Sequence, residues 1–222
     1  MSIRRSASVV QRKWHRMFTA LVAISMLQAA TPQQAALQAV GFGAKVPAAV
    51  KRVNVVGRYA AVLTNGGVME GSKVTDPILV ERFSFGWQPV DMLNFRCRLD
   101  SHGLGASTNA QLMRGMPKPQ DDRPCRGVRR DAGPQADVES VRRLIRGPLV
   151  PAVAVSGNWA LGDWYGAGGG EQLYRKHNGR WTFLTGGGGA LGVDEMLEHR
   201  VPRTDWCKLE VYNATCRGNG HK

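Results

Sequence analysis

Two related α+β modules joined in one chain are the architecture this sequence predicts, on three observations. The first is self-similarity. Val53-Asn-Val-Val-Gly57-Arg-Tyr59-Ala60-Ala-Val62 matches Val153-Ala-Val-Ser-Gly157-Asn-Trp159-Ala160-Leu-Gly162 at an offset of 100 residues. Leu79 to Trp87 then matches Leu173 to Trp181 at an offset of 94, and Leu104-Gly105 through Met116-Pro117 matches Leu191-Gly192 through Val201-Pro202. The second observation is that each copy pairs β-branched and aromatic runs with a glycine-centred turn. The third is that short stretches of helical periodicity stand before and after those runs.

The elements follow in order. Gln33 to Val40 is a helical candidate ahead of the first copy. Val53 to Leu63 reads as strand with a turn or bulge at Gly57. A turn at Ser84-Phe85-Gly86 follows, and Trp87 begins the return strand, where a large ring anchors the core. Ser107 or Thr108 caps a helix carrying Ala110, Leu112 and Met113, stopped by Pro117. Lys118 to Pro134 is a polar, Pro- and Gly-rich join.

The second copy opens with a helix over Ala136 to Ile145, where Val138, Val141, Leu144 and Ile145 recur at helical intervals with arginines opposite. Val153 to Trp164 repeats the strand pattern with its turn or bulge at Gly157. In Leu173 to Leu184 the Asn178-Gly179 pair predicts a type I′ hairpin, because both central residues must accept positive φ. Asp194 and Glu195 open a last helix with acids suited to its positive end, Met196 and Leu197 give it an apolar side, and Pro202 closes it. Each module therefore reads as α-β-β-β-α with an antiparallel sheet, the two packed as a pseudo-symmetric pair. The division is a signal peptide over 1–30, a diverged first module over 31–117, the join over 118–134, the second module over 135–212 and a frayed tail over 213–222.

Composition bounds the function. The chain has 222 residues, 43% of them hydrophobic and 21% charged, which suits folded domains rather than a polyelectrolyte. A mean hydropathy of −0.27 and the lack of an 18-residue apolar run beyond residue 40 argue against an integral membrane protein. The N-terminus differs from the rest. Arg4, Arg5, Arg12, Lys13 and Arg16 form a basic stretch without an acid, ahead of an apolar run of about 11 residues from Met17 to Leu27. Small residues follow at Ala29-Ala30-Thr31-Pro32, so the segment reads as a secretory signal and the mature protein as periplasmic or extracellular. Losing those five cations lowers the formal charge from +13 to +8.

The protein stays basic, with Arg126, Arg129, Arg130, Arg142, Arg143 and Arg146 concentrated at its centre, read as a solvated basic face and join. Export sets nucleic acid aside as a partner, as does the absence of an aromatic-interleaved nucleic-acid motif. An unidentified protein or an envelope component remains. Cys97, Cys125, Cys207 and Cys216 make an even count in an exported chain, hence two disulfides. Three connectivities exist, and Cys97–Cys125 with Cys207–Cys216 pairs near neighbours.

No catalytic set is complete. Gly186 to Gly189 precedes a helix but lacks both the G-K-[ST] ending of a P-loop and a G-x-G-x-x-G fingerprint, and Asp194 and Glu195 would repel an anion there. A strand-to-helix connection, or a close approach to a tryptophan ring, is the expected role. Asp163, Glu171, Asp194 and Glu195 offer carboxylates for a hydrolase, with nothing in the spacing to fix their separation. Ser156 lies outside any G-x-S-x-G frame. Met92, His102, Met113 and Met116 share one module without the tight spacing of a soft-metal site, so neither metal nor cofactor is expected. His177 and His199 are expected at exposed positions. The chain reads as non-enzymatic. Trp159, Trp164, Tyr165, Tyr174 and Trp181 are dense enough to line a binding groove, or to fill the core of a small sheet.

Val153 to Pro202 carries a resemblance in its Gly157-Asn-Trp159 turn, Gly168-Gly169-Gly170, Leu173-Tyr-Arg-Lys176, Gly179-Arg-Trp181, Gly186 to Gly189 and Arg200-Val201-Pro202. With the helix from Val138, this stretch resembles small secreted bacterial proteins labelled copper uptake system-associated, and similar uncharacterised exported proteins. The resemblance implies an exported module working near copper handling, and it implies no set of metal ligands.

Overall fold

The structure, a computed structural model, describes residues 29–41, 48–65, 68–69, 72–92, 102–118, 131–166 and 168–209. Residues 1–28 of the expected signal peptide, Cys97, Cys125, Arg126, Arg129, Arg130, Cys216 and residues 210–222 lie outside the described residues.

The first module runs α1 (Pro32–Gly41), β1 (Ala49–Val56), β2 (Tyr59–Asn65), a small hairpin of β3 (Val68–Met69) and β4 (Ser72–Lys73), β5 (Ile78–Phe83), β6 (Gly86–Met92) and α2 (Ala106–Leu112). The second runs α3 (Gln135–Arg142), β7 (Val153–Ser156), β8 (Trp159–Gly166), β9 (Gly168–His177), β10 (Arg180–Gly186), α4 (Val193–Glu198) and α5 (Arg203–Trp206). The α+β class and the antiparallel sheets are as expected. Each main sheet, however, has four strands rather than three, in the orders β1-β2-β5-β6 and β7-β8-β9-β10. Gly57 and Gly157 are the reason. With φ of 60° and 57° they make full two-residue turns, between Val56 and Tyr59 and between Ser156 and Trp159. Each single predicted strand is therefore a hairpin.

Register carries the likeness of the two copies further than sequence does. Tyr59 faces Glu81 across β2–β5, and Trp159, 100 residues on, faces Arg175, 94 residues beyond Glu81. The change of offset arises inside one connection. β8 and β9 meet at Gly166 and Gly168, whereas the first module inserts the β3–β4 hairpin at that point.

Each sheet lies between helices because alternate strand residues face opposite sides. In the first module Ala60, Val62, Ile78 and Val80 pack on Ala35, Ala36, Ala39 and Val40 of α1, while Ala61, Leu63, Leu79 and Val90 pack on Leu112 and Met116. In the second, Val153, Val155, Ala160 and Tyr174 face Val138 and Val141 of α3. Ala154, Leu161 and Leu173 face Met196, Trp206 and Leu209. No helix among the described residues is long and apolar enough to cross a membrane.

The helix caps differ in detail from expectation. The N-cap of α2 is Gly105, not Ser107 or Thr108, which lie inside the helix. Ser107 uses its hydroxyl oxygen to accept the Gln111 amide at 3.2 Å. In α4 the Glu195 carboxylate accepts the Gly192 N–H at 2.9 Å, and Gly192 has no side chain to return the bond. α4 ends at Glu198, where Arg200 turns the chain at φ 57°, and Pro202 instead serves as N-cap of α5.

Candidate functional site

The second module carries most of the predicted site residues, and its sheet deals them to different places. Trp159 is buried on the α4–α5 face, with the Arg175 guanidinium 5.1 Å from its ring centroid. Tyr174 and Trp181 are buried on the α3 face, and Trp164 is half-buried against the same cluster. Tyr165 is 46% exposed and alternates with Trp164, so it leaves the sheet on the other side. The five aromatics thus do not line one surface.

Two of them are held by polar bonds. Trp181 Nε1 donates to Asp137 Oδ1 at 3.1 Å, and Lys176 Nζ donates to the same oxygen at 2.6 Å. Desolvation acts to raise the Asp137 carboxyl, but these two bonds and the Lys176 charge outweigh it and hold its pKa below the ordinary value. The Tyr174 hydroxyl donates to Gln172 Oε1 at 2.5 Å, and burial pushes its pKa well above the usual phenol range.

Among the carboxylates, Asp163 and Glu171 are direct partners across β8–β9 and so share a sheet face. Glu171 is buried, and its carboxylate accepts the Leu191 N–H at 2.7 Å. Asp194 is exposed on the first turn of α4, and Glu195 caps that helix. The four are therefore not one set. Ser156 donates to Asp205 Oδ1 at 2.6 Å, tying β7 to α5.

The glycine loop is a close backbone approach, though not to a tryptophan. Gly189 N–H donates to Gly169 O at 2.8 Å and Glu171 N–H to Gly189 O at 3.1 Å, so the loop docks along β9 itself. A Cβ on Gly170 would lie 1.8 Å from the Gly187 carbonyl oxygen.

Arg142 departs most from expectation. Sequence places it among the arginines of a solvated face, yet it is 1% exposed. Its guanidinium grips Asp131 through Nε to Oδ2 at 3.0 Å and Nη2 to Oδ1 at 2.6 Å. It also donates to the carbonyls of Val150 at 2.6 Å and Pro151 at 3.2 Å, and to Gln88 Oε1 at 3.1 Å. The Phe83 ring centroid lies 4.7 Å away. Gln88 and Phe83 belong to the first module, so Arg142 joins the two. Leu144, expected in the apolar stripe, is 42% exposed because α3 ends at Arg142 and the chain turns there.

In the first module His102 Nε2 lies 3.3 Å from Asp91 Oδ2, with both side chains largely buried. Met116 is buried and Met113 half-buried in the same apolar cluster. His177 is exposed in its turn, whereas His199 is half-buried at the end of α4. No group of three or more His, Cys, Asp or Glu comes together among the described residues.

Sequence reasoning passed over Phe183. It is 53% exposed and stands edge-on to Tyr174 with ring centroids 5.9 Å apart. Its alternation with Trp181 was a readable signal for a shared face, but that β10 lies at the edge of the sheet was not. Comparison with protein-family models, curated proteins and solved structures finds no match.

Proposed function

We propose that this chain is an exported, non-enzymatic accessory or binding protein that takes a protein partner or an envelope component. The observation that carries the reading is Phe183, a large apolar ring left half in solvent on the outer strand β10. On the opposite face of the sheet, side chains that sequence offered as catalysts serve the fold: Glu171 holds the glycine loop and Glu195 caps α4. The basic, apolar N-terminal segment supports a cleaved signal and a periplasmic or extracellular home. The even count of four cysteines supports an oxidising compartment, with Cys207–Cys216 beside Cys97–Cys125 as the favoured pairing of near neighbours. Association with copper handling rests on the resemblance of Val153 to Pro202 alone.

Intact mass of protein recovered from the envelope, with and without reductant, tests the export half of this reading. A mature chain starting near Thr31 with both bridges formed is expected, and an uncleaved, reduced chain defeats it. Titration with Cu(I) and Cu(II) tests the copper association, and unchanged tryptophan fluorescence would remove it. A second reading, a hydrolase of an envelope polymer, is favoured by the facing pair Asp163 and Glu171. Asp163→Asn would then abolish release of soluble fragments from purified cell-wall material, and an absence of fragments from the native protein ends that reading.

A further inference from the structure

The two four-stranded sheets have four outer edges, and three are closed or blunted. On β6, Val150 N–H donates to Pro89 O at 3.1 Å. On β7, Ala132 N–H donates to Val153 O at 3.0 Å and Val155 N–H to Ala132 O at 2.8 Å. β1 carries exposed Lys51 and Arg52 and a register break between Val50 and Arg52, both devices that discourage edge pairing. β10 carries exposed Arg180 beside its turn and a register break between Phe183 and Thr185, but Trp181 to Phe183 between them holds neither a charge nor a break. From Trp181 to Thr185 it reads Trp-Thr-Phe-Leu-Thr, without a charge or a proline, and its outer side has no backbone partner among the described residues.

The hairpin closes on the pair His177 and Arg180, so Arg180 and Thr182 turn their backbone groups toward β9. Trp181 and Phe183 then present N–H and C=O outward. The surroundings are cationic. Arg175, His177 and Arg180 are exposed on one side of the hairpin, and the Arg146 backbone carbonyl accepts Gln172 Nε2 at 3.4 Å near the other. The neighbouring acids are occupied, Asp137 by Lys176 and Trp181, and Glu139 by Gln135 and Ser84. A second copy would bring the same cations to a chain that is already strongly basic.

We infer that β10 is a docking strand for an extended, acidic segment of a partner protein, which adds to the sheet as a fifth strand. The backbone of Trp181 and Phe183 supplies the ladder, Phe183 covers an apolar side chain of the segment, and Arg175 and Arg180 take its carboxylates. The inference rests on the binding-protein reading and names its surface and the chemistry of its partner.

The test uses the full mature chain and two labelled peptides of about seven residues, the length of one strand, one alternating Glu with Val and the other Lys with Val. Fluorescence anisotropy is expected to give binding of the Glu peptide at least about tenfold tighter than of the Lys peptide. Hydrogen exchange is expected to slow at the Trp181 and Phe183 amides when the Glu peptide is present. Phe183→Lys, at an exposed position where folding is checked by circular dichroism, is expected to abolish binding, and Phe183→Tyr to keep it. Equal or absent binding of the two peptides, or protection elsewhere, overturns the inference. So does a dimer in analytical ultracentrifugation that Phe183→Lys dissolves, which would assign the edge to a second copy. If an envelope partner is captured equally by the native chain and by Phe183→Lys, the docking strand fails while the binding-protein reading survives.

Discussion

Arg142 shows how one residue departs from the pattern around it. Its spacing on α3 groups it with exposed arginines, and nothing local distinguishes it from Arg143 or Arg146. What singles it out is distant in sequence: Asp131, two backbone carbonyls, Gln88 and the Phe83 ring all converge on its guanidinium. A fully buried guanidinium is tolerated only with such a set of acceptors. Removing it takes the counter-charge from Asp131, which keeps the Val153 N–H at 2.9 Å, and a donor from three further acceptors. Arg142→Leu is therefore expected to lower unfolding free energy by about 3–5 kcal/mol in urea titrations. The double variant Arg142→Leu/Asp131→Asn should recover part of that loss, and strict additivity of the two would argue against the pairing. Asp137 makes the milder case. It was passed over in sequence because its partners, Lys176 and Trp181, lie on another hairpin.

At the scale of elements, turns were legible and edges were not. Asn178-Gly179 forms the expected hairpin with φ of 49° and 75°, because that dipeptide has local reasons to turn. Gly57 and Gly157 were read as turn or bulge, and only cross-strand register shows that they close whole hairpins. The two repeat blocks, at offsets of 100 and 94, fall on the two hairpins of each sheet, although from sequence the first block reads as a single strand. Which strand is outermost depends on tertiary pairing and leaves no mark in a window of residues. The glycine loop gives a sharp test at this scale. Gly170→Ala drives a Cβ into the Gly187 carbonyl and is expected to cost about 3 kcal/mol or more of stability, because the obstacle is backbone and cannot rotate away. Gly187→Ala meets no atom within 4 Å and should change stability by no more than about 0.5 kcal/mol. Equal thermal shifts for the two would refute the docking of this loop on β9.

For the whole molecule, acid is the informative variable. Desolvation works against the Glu139 carboxylate, but bonds from Ser84 and Gln135 and the Arg143 charge more than offset it, so its folded pKa lies below 4.5; Asp137 lies likewise below 3.8. A depressed carboxyl stabilises the fold fully above its unfolded pKa and loses that contribution as pH falls through the folded value. Midpoints of urea unfolding are expected to hold steady above about pH 5 and to fall below about pH 4, where both groups begin to protonate. In Asp137→Asn/Glu139→Gln that fall should be shallower, and an unchanged slope would show that other carboxyls govern it. Glu139 meets Ser84 of the first module, and Leu149, paired in backbone with Tyr165 of the second, sits with its side chain in the first module's apolar cluster. The two halves are thus stitched by residues that each borrows from the other. Calorimetry of the intact chain should record one heat-absorption peak rather than two. A gene cut at the join would then yield fragments that each lack part of their own interior.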